Sequence, residues 1–247
     1  EPPWQFLSYS ADPSLTPEEL KSYSKHDDNK HAKRWVVIKP LKRGVYENEV
    51  RAIDLIHRML AAKIGGADAI FVPNPFSTER GLMNDDGTPG ELLLPWRTTA
   101  LAISGTEHLG SIRLPGGSKN EVFARDGEAV MVIWSDQPGE EVIYLGEDAR
   151  LVDIWGHETK LVTKDAKKDP RQVIPVGPMP VFIRGVNEPI TRMRMAFKFE
   201  ETKVPSIFGE AHHNSFEMQN FFKRGVNVRV TMNTSNVWEI TPRLVKT

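Results

Sequence analysis

The spacing of hydrophobic and polar positions changes near His108. Before this residue, apolar positions with helical spacing alternate with short continuous apolar runs. After it, short apolar runs recur every 8 to 12 residues, with Gly, Pro, Asn or Asp between them. The first pattern is typical of strands and helices in alternation, and the second of an antiparallel β-sandwich. We therefore predict an α/β segment followed by a β-rich segment.

Three helices and two buried strands are predicted in the first segment. The first helix is predicted to start at a capping box formed by Thr16 and Glu19, with Pro17 at the first helical position. It runs to about Lys25. A longer helix is predicted over 47–64 from apolar residues at helical spacing, which are Val50, Ile53, Ile56, Leu60 and Ile64. The runs 34–38 and 69–72 predict strands buried on both faces, and Pro95 predicts the start of a third helix.

Alternation of strand and helix predicts neighbouring parallel strands with right-handed crossovers. In this class the functional groups lie on the loops that follow the carboxyl ends of the strands. Those loops are 39–46 and 73–88.

The second segment contains seven predicted strands, which read as one β-sandwich. They are 109–114, 121–125, 129–135, 141–145, 151–155, 172–176 and 181–184. After Pro189 four more strands are predicted, too few to close a second sandwich: 193–199, 215–218, 226–232 and 237–240.

Composition narrows the range of functions. The chain has 247 residues, 39% of them hydrophobic and 26% charged, which is typical of a folded globular protein. Its net charge of -1 lacks the basic surplus that nucleic-acid binding usually requires. The longest apolar run, 129–134, is far shorter than the roughly 20 residues of a membrane span. Because there is no cysteine, disulfides and thiolate chemistry are excluded.

The segments 49–64, 66–71 and 81–89 (Gly-Leu-Met-Asn-Asp-Asp-Gly-Thr-Pro) resemble the last two strand–helix units of retaining glycoside hydrolases with a (β/α)₈ barrel. Three later segments, 129–136, 151–156 and 180–185, resemble the small accessory β-sandwich of these enzymes. The tail from Pro189 resembles the opening strands of an immunoglobulin-like module.

The resemblance implies three parts. Residues 1–107 would be the carboxyl-terminal portion of a (β/α)₈-like barrel, 108–187 the accessory β-sandwich and 188–247 a partial immunoglobulin-like β module. The chain would begin after the sixth barrel strand and hold only about a quarter of the barrel. It also implies a carbohydrate ligand and an extracellular or periplasmic location. Two parallel strands leave open edges, so residues 1–107 are expected to need the rest of the barrel or another chain as a cover.

The catalytic carboxylates of the resembled family are not found at their expected places. Retaining hydrolysis needs two carboxyl groups about 5 Å apart. In that family the nucleophilic glutamate ends the seventh barrel strand, which corresponds to 35–41, where this sequence has Lys39, Pro40 and Leu41. The acid/base would come from the fourth strand, outside these residues. Glu47 is a weak catalytic candidate if its loop returns over the barrel mouth; the alternative is a favourable interaction with the helix dipole.

Six residues are candidates for substrate binding: Trp4, Lys39, Asn74, Phe76, Glu79 and Arg80. The loop after the eighth strand combines an aromatic ring with amide, carboxylate and guanidinium groups, a composition suited to sugar hydroxyls. Alternatively, Glu79 and Arg80 form a surface ion pair. Trp35, Trp134 and Trp155 lie in apolar runs and are predicted to be in cores.

No metal site or cofactor is predicted. The seven histidines have no metal-ligand spacing, and 27–29 and 84–87 favour turns over calcium loops. Three functions stay open: a carbohydrate-related protein that lacks the usual nucleophile, a non-catalytic carbohydrate- or protein-binding β-sandwich, and a scaffold for a catalytic portion elsewhere.

Overall fold

A computed structural model of the chain describes residues 5–23, 32–165, 169–203, 209–227, 229–231, 239, 241 and 244–246. The chain divides into two compact units, Glu1–Thr191 and Arg192–Thr247. The first unit contains β1 (Phe6–Ala11), α1 (Pro17–Tyr23), β2 (Lys33–Ile38), α2 (Asn48–Ile64), β3 (Ala69–Phe71), α3 (Leu93–Ile103), β4 (Glu107–Gly110), β5 (Lys119–Arg125), β6 (Glu128–Trp134), β7 (Gly139–Ile143), β8 (Arg150–Val152), β9 (Glu158–Lys160), β10 (Val162–Asp165), β11 (Asp169–Val176) and β12 (Val181–Asn187). Helix α4 (Glu188–Ala196) crosses the boundary, and β13 (Lys198–Phe199), β14 (Phe216–Glu217), β15 (Arg229–Thr231) and β16 (Leu244–Lys246) follow.

A parallel sheet of three strands, in the order β1-β2-β3, forms the start of the first unit. The predicted parallel pairing of 34–38 with 69–72 is confirmed, because Trp35 lies level with Ala69 in the register. Strand β1 was not predicted: the resemblance implied only two strands here. Its exposed Ser8 and Ser10 interrupt the apolar pattern, so β1 has no continuous run of the kind that marks β2.

One face of the parallel sheet carries an aromatic row. Phe6 of β1 lies 4.6 Å from Trp35 of β2, and Trp35 lies 5.3 Å from Phe71 of β3, measured between ring centroids. Phe6 and Phe71 are 45% and 42% exposed. Val36 and Ile38, which alternate with Trp35 along β2, are fully buried. The sheet is therefore packed on one face and open on the other.

Helices α1 and α2 begin and end close to their predicted bounds. The capping box of α1 is confirmed: Glu19 N–H donates to Thr16 Oγ1, and Thr16 N–H and Oγ1 both donate to Glu19 Oε2. The apolar face of α2 is rotated from the prediction, because Leu55 and Met59 are buried whereas Val50 is 47% exposed. Helix α3 begins at Leu93, two residues before the predicted Pro95.

Two buried arginines of α2 hold the loops that follow β1 and β2. Arg58 donates to the carboxylate of Asp54 and to the carbonyl oxygens of Asp12 and Pro13. Arg51, seven residues earlier and therefore on the same side of the helix, donates to the carbonyl oxygen of Leu41 at 3.0 Å. Each guanidinium satisfies carbonyls that have no strand partner.

The β-rich part of the first unit has a six-stranded sheet, β4-β5-β6-β12-β8-β9, and a three-stranded sheet, β10-β11-β7. All seven predicted strands overlap strands of these sheets. Strands β9 and β10 were not predicted, because their sequences are polar and mostly exposed. Phe123 and Phe182 of the larger sheet belong to the same hydrophobic core as Leu55 of α2. The hydrophobic core is thus continuous across residue 107. The domain boundary between 1–107 and 108–187 stays a prediction.

Two local predictions are wrong. Trp155 is 50% exposed instead of buried, because Asp153 Oδ1 accepts the N–H groups of Trp155 and His157 and holds them in a tight turn between β8 and β9. The strand predicted over 193–199 is mostly helix α4, since Asn187 Oδ1 caps Ile190 N–H and a proline stands in the first turn.

The second unit contains two short antiparallel pairs among its described residues, β13-β14 and β15-β16. Phe197, Phe199 and Phe216 form an aromatic cluster with centroids 5.1 to 6.2 Å apart. The predicted strands 215–218 and 226–232 overlap β14 and β15, and 237–240 lies outside the described residues except for Glu239. Throughout the described part of the chain, every helix is too short or too polar to span a lipid bilayer.

Replacing Arg58 is expected to destabilise the first unit strongly. Arg58→Met keeps the bulk of the side chain but removes the donor from the Asp54 carboxylate and from the carbonyl oxygen of Pro13, so we expect a loss of about 3 kcal/mol in the free energy of unfolding. The matched control is Arg150→Met, because Arg150 pairs with Glu158 at an exposed site and should contribute less than about 1 kcal/mol. Urea denaturation of both variants measures the difference, and equal effects would contradict the anchoring role.

Candidate functional site

The loops after β2 and β3, residues 39–47 and 72–92, lie at the carboxyl ends of the parallel strands. We call them the rim loops. They are joined directly: Arg43 N–H donates to the carbonyl oxygen of Glu79 at 2.7 Å, and Lys42 Nζ lies 2.9 Å from the Glu79 carboxylate. Arg80 Nη1 donates to the carbonyl oxygen of Pro40 at 2.6 Å. The loops predicted over 39–46 and 73–88 are thus in direct contact with each other.

Glu91 is the electrostatic centre of the rim loops. Its carboxylate accepts from Arg43 Nε at 3.0 Å, from Arg43 Nη2 at 2.7 Å and from Arg51 Nη1 at 2.7 Å. Burial opposes the ionisation of Glu91, but its backbone and the two guanidinium groups outweigh burial and hold the pKa of Glu91 below its ordinary 4.5. The carboxylate of Glu91, in the second rim loop, therefore contacts both the first rim loop and α2.

The turn predicted over 84–87 is present. Gly87 has φ 82°, and Asp86 Oδ1 accepts from the N–H and hydroxyl of Thr88. These hydrogen bonds, that from the Thr88 side chain foremost, lower the pKa of Asp86. Asn84 Nδ2 donates to Thr88 Oγ1 at 2.9 Å. A Cβ on Gly81 would overlap the backbone of Pro75, which explains why glycine stands there.

Lys39 and Glu47 lie at the two ends of the first rim loop. Lys39 follows the last residue of β2, is half-buried and donates its N–H to the carbonyl oxygen of Ala11 at 3.4 Å. Glu47 is exposed at the start of α2, and its backbone oxygen accepts the first helical hydrogen bond, from Arg51 N–H. Its side chain makes no capping hydrogen bond.

The other predicted site residues fall into two groups. Glu79 pairs with Lys42, and Arg80 donates to the carbonyl oxygen of Pro40. Both residues therefore contact the first rim loop, and these contacts replace the ion pair predicted between Glu79 and Arg80. Asn74 and Phe76 project from the second rim loop: Asn74 is exposed with φ 47°, and Phe76 is 58% exposed. Trp4 lies outside the described residues.

Sequence reasoning missed Arg43, Arg51 and Glu91. Arg51 and Arg58 are seven residues apart and share a face with Leu55, and two charged residues on an apolar helix face are the signal that could have shown buried ion pairs. It also missed Tyr46, which is 46% exposed in the first rim loop. Tyr46 and Phe76 give each rim loop one exposed aromatic ring.

Two carboxylates of the rim loops are held by cationic partners. Glu79 and Glu91 are engaged in ion pairs, and the position at the end of β2 holds an ammonium group. Retaining hydrolysis requires a carboxylate that can attack and a second one about 5 Å away. Across the described ranges, no three His, Asp or Glu side chains converge as metal ligands.

Solved structures with a similar fold include a family 39 glycoside hydrolase from Bacteroides cellulosilyticus WH2, with a TM-score of 0.52 and 18% identity. A GH30 endoxylanase from Clostridium papyrosolvens C71 has a TM-score of 0.52 and 9% identity. The matches cover 70% and 74% of this chain but only 38% and 49% of the two solved chains. No protein-family model matches the sequence, and no curated protein matches it. The chain therefore shares part of its fold with glycoside hydrolases.

Removing the Glu91 charge should weaken the rim loops in a pH-dependent way. Glu91→Gln leaves the buried Arg51 without an anion, and we expect a loss of about 3 kcal/mol at pH 7. Because the pKa of Glu91 is lowered in the folded state, its contribution is fully present above 4.5 and disappears as the pH falls through the folded value.

The control is Glu79→Gln, since Glu79 pairs with Lys42 at an exposed position and should contribute less than about 1 kcal/mol. Chemical denaturation between pH 3 and pH 7 compares both variants with the unaltered chain. A Glu91→Gln effect that is independent of pH would contradict the ion-pair explanation.

Proposed function

We propose that this chain is a carbohydrate-binding, carboxyl-terminal part of a glycoside-hydrolase-like protein, whose rim loops contact sugar without supplying the catalytic carboxylates. The observation that carries the proposal is Lys39 at the carboxyl end of β2. An ammonium group there cannot attack an anomeric carbon as a carboxylate does, but it can donate hydrogen bonds to hydroxyl groups.

The exposed aromatic rings of the rim loops support sugar binding. Tyr46 and Phe76 are 46% and 58% exposed, although burial of such rings is favourable. The contacts of Glu79 with Lys42 and Arg43 fix the two loops to each other, so little conformational entropy would be lost when a ligand binds. The side-chain amide of Asn74, two residues before Phe76, can donate and accept hydrogen bonds.

The domain organisation that goes with this function is part of the proposal. Residues 1–107 would contribute β1, β2 and β3 to a (β/α)₈-like barrel, 108–187 would form the accessory β-sandwich, and 188–247 would belong to an immunoglobulin-like module. The open aromatic face of Phe6, Trp35 and Phe71 supports the need for a cover, which we assign to the remaining barrel strands or to another chain that supplies them.

A binding site on the β-rich part is the second candidate. Trp155 is 50% exposed in the turn between β8 and β9, where a large indole ring is available to stack on a sugar. In this alternative the β-sandwich is the functional part and the rim loops are structural.

The proposal is tested with the 247-residue chain and xylohexaose, a probe chosen because one structure with a similar fold is an endoxylanase. A ligand that prefers the folded state raises the melting temperature with its concentration. We expect a rise that is lost in Tyr46→Ala and Phe76→Ala and kept in Trp155→Ala. Leu101→Ala, which removes an exposed apolar side chain from α3, is the matched control and should leave the rise unchanged.

Hydrolysis is measured in parallel with aryl glycosides, and we expect none. Turnover that is lost in Glu47→Gln would overturn the proposal and establish an enzyme. A rise in melting temperature that is lost only in Trp155→Ala would favour the second candidate. No rise with xylohexaose, together with no turnover, would contradict the proposal and leave the scaffold function.

A further inference from the structure

A cavity of about 110 Å³ lies within the first unit, between α1, α2 and the six-stranded sheet. Its described lining contains no residue of 39–47 or 72–92, so a ligand bound there is separate from the function proposed above. The charged groups of the lining are Glu18 and Lys21 of α1 and Glu121 of β5. Two carboxylates and one ammonium give the cavity an excess of negative charge.

His57 also lines the cavity but does not balance this charge. Burial is the largest effect on the pKa of His57 and lowers it, against the opposing influence of Glu18 and Asp136. The neutral imidazole is therefore favoured, and its Nε2 atom is buried. Among the described lining residues, Lys21 is then the one cation.

The two carboxylates differ in how far they are already engaged. Glu121 Oε2 lies 2.6 Å from His108 Nε2. Glu121 Oε1 lies 3.8 Å from Lys21 Nζ, which is beyond hydrogen-bonding distance, so Glu121 Oε1 can still accept a hydrogen bond from a ligand. The Glu18 carboxylate is exposed and has no ion pair or hydrogen bond within the described part of the chain.

The rest of the cavity wall is apolar. Leu60, Ala61 and Ile64 come from α2, and Trp134 comes from β6. Ile64 and Trp134 are half-buried, so part of each side chain is available to a ligand. The Trp134 ring packs 4.9 Å from the His57 ring, which holds the indole beside α2. An indole attracts cations through its ring electrons as well as offering apolar surface.

This combination favours an amphipathic cation over other classes of ligand. An anion would be repelled by the excess carboxylate, and an uncharged apolar ligand would remove water from Glu18 and Glu121 without replacing it. A metal ion is not favoured, because no three His, Asp or Glu side chains converge as ligands in the described ranges. The apolar wall requires in addition that the ligand have an aliphatic part.

We propose that this cavity binds a primary ammonium group carried on a short aliphatic chain. The ammonium donates hydrogen bonds to Glu18 and to Glu121 Oε1, while the chain packs on Ile64 and Trp134. The cavity has room for about four water-sized groups, which matches a stem of about four carbon atoms. A free alkylamine and the lysine side chain of another protein share this chemistry.

The test uses n-butylammonium as the probe and the 247-residue chain, and NMR titration follows the indole N–H of Trp134. We expect a shift that saturates. Neither n-butanol, which has the same chain without the charge, nor butyrate, which has the opposite charge, should produce it. Nα-acetyl-lysine methylamide distinguishes the two sources: a dissociation constant no higher than that of n-butylammonium assigns the cavity to a lysine side chain, and a much higher one to a free alkylamine.

Four variants examine the charges of the cavity. Glu18→Gln and Glu121→Gln each remove one carboxylate and should raise the dissociation constant for n-butylammonium, by about fivefold and about tenfold. Lys21→Met keeps the aliphatic stem and removes the competing ammonium, so it should lower the dissociation constant by about threefold. Poor folding would not tighten binding. Glu128→Gln, at an exposed position of β6 outside the cavity, makes the same change in net charge and should leave binding unchanged.

Three results would overturn the inference. No saturable shift with either ammonium probe means that the cavity holds water only. Equal shifts with n-butanol mean an apolar site. An equal effect of Glu128→Gln and Glu18→Gln means attraction to the net charge of the chain and not to this cavity. The rise in melting temperature with xylohexaose should be the same in Lys21→Met as in the unaltered chain, so this inference and the proposed function can fail separately.

Discussion

The arrangement of the rim depends on the burial of two guanidinium groups in α2. Arg51 is fully buried and Arg58 is 2% exposed, and a buried charge without partners is far more unfavourable than one in water. Each arginine therefore requires oxygen atoms at fixed positions. Arg58 finds them in Asp54 and in the loop after β1, and Arg51 finds them in the loops after β2 and β3. The same contacts that satisfy the helix thus set the positions of the loops at the carboxyl ends of the parallel strands.

This constraint also decides what the acidic residues near the rim can do. Glu91 neutralises Arg43 and Arg51 together, and a carboxylate held in two ion pairs is a poor nucleophile because attack would leave buried positive charge uncompensated. Lys39 adds an ammonium group at the end of β2. A fold shared in part with glycoside hydrolases therefore does not by itself imply their chemistry.

The sequence predicted most of the elements but few of the contacts. Helix α2, the β2–β3 pairing and the turn at Gly87 follow from local patterns, since periodicity and glycine conformation are properties of neighbouring residues. The pairing of Arg51 with Glu91 joins residues 40 positions apart, and no local pattern contains it. Asn74 and Phe76 could be proposed as binding residues because the composition of their loop is a local property. Arg43 and Tyr46 could not be proposed in this way.

The open face of the parallel sheet bears on the binding proposed for the rim loops. Phe6 and Phe71 are nearly half exposed, and β1 and β3 each have an unpaired edge among the described residues. The rim loops extend directly from this sheet, so strands that cover it would restrict the rim loops and strengthen ligand binding there. The affinity of the rim loops for a ligand should therefore depend on whatever covers Phe6, Trp35 and Phe71.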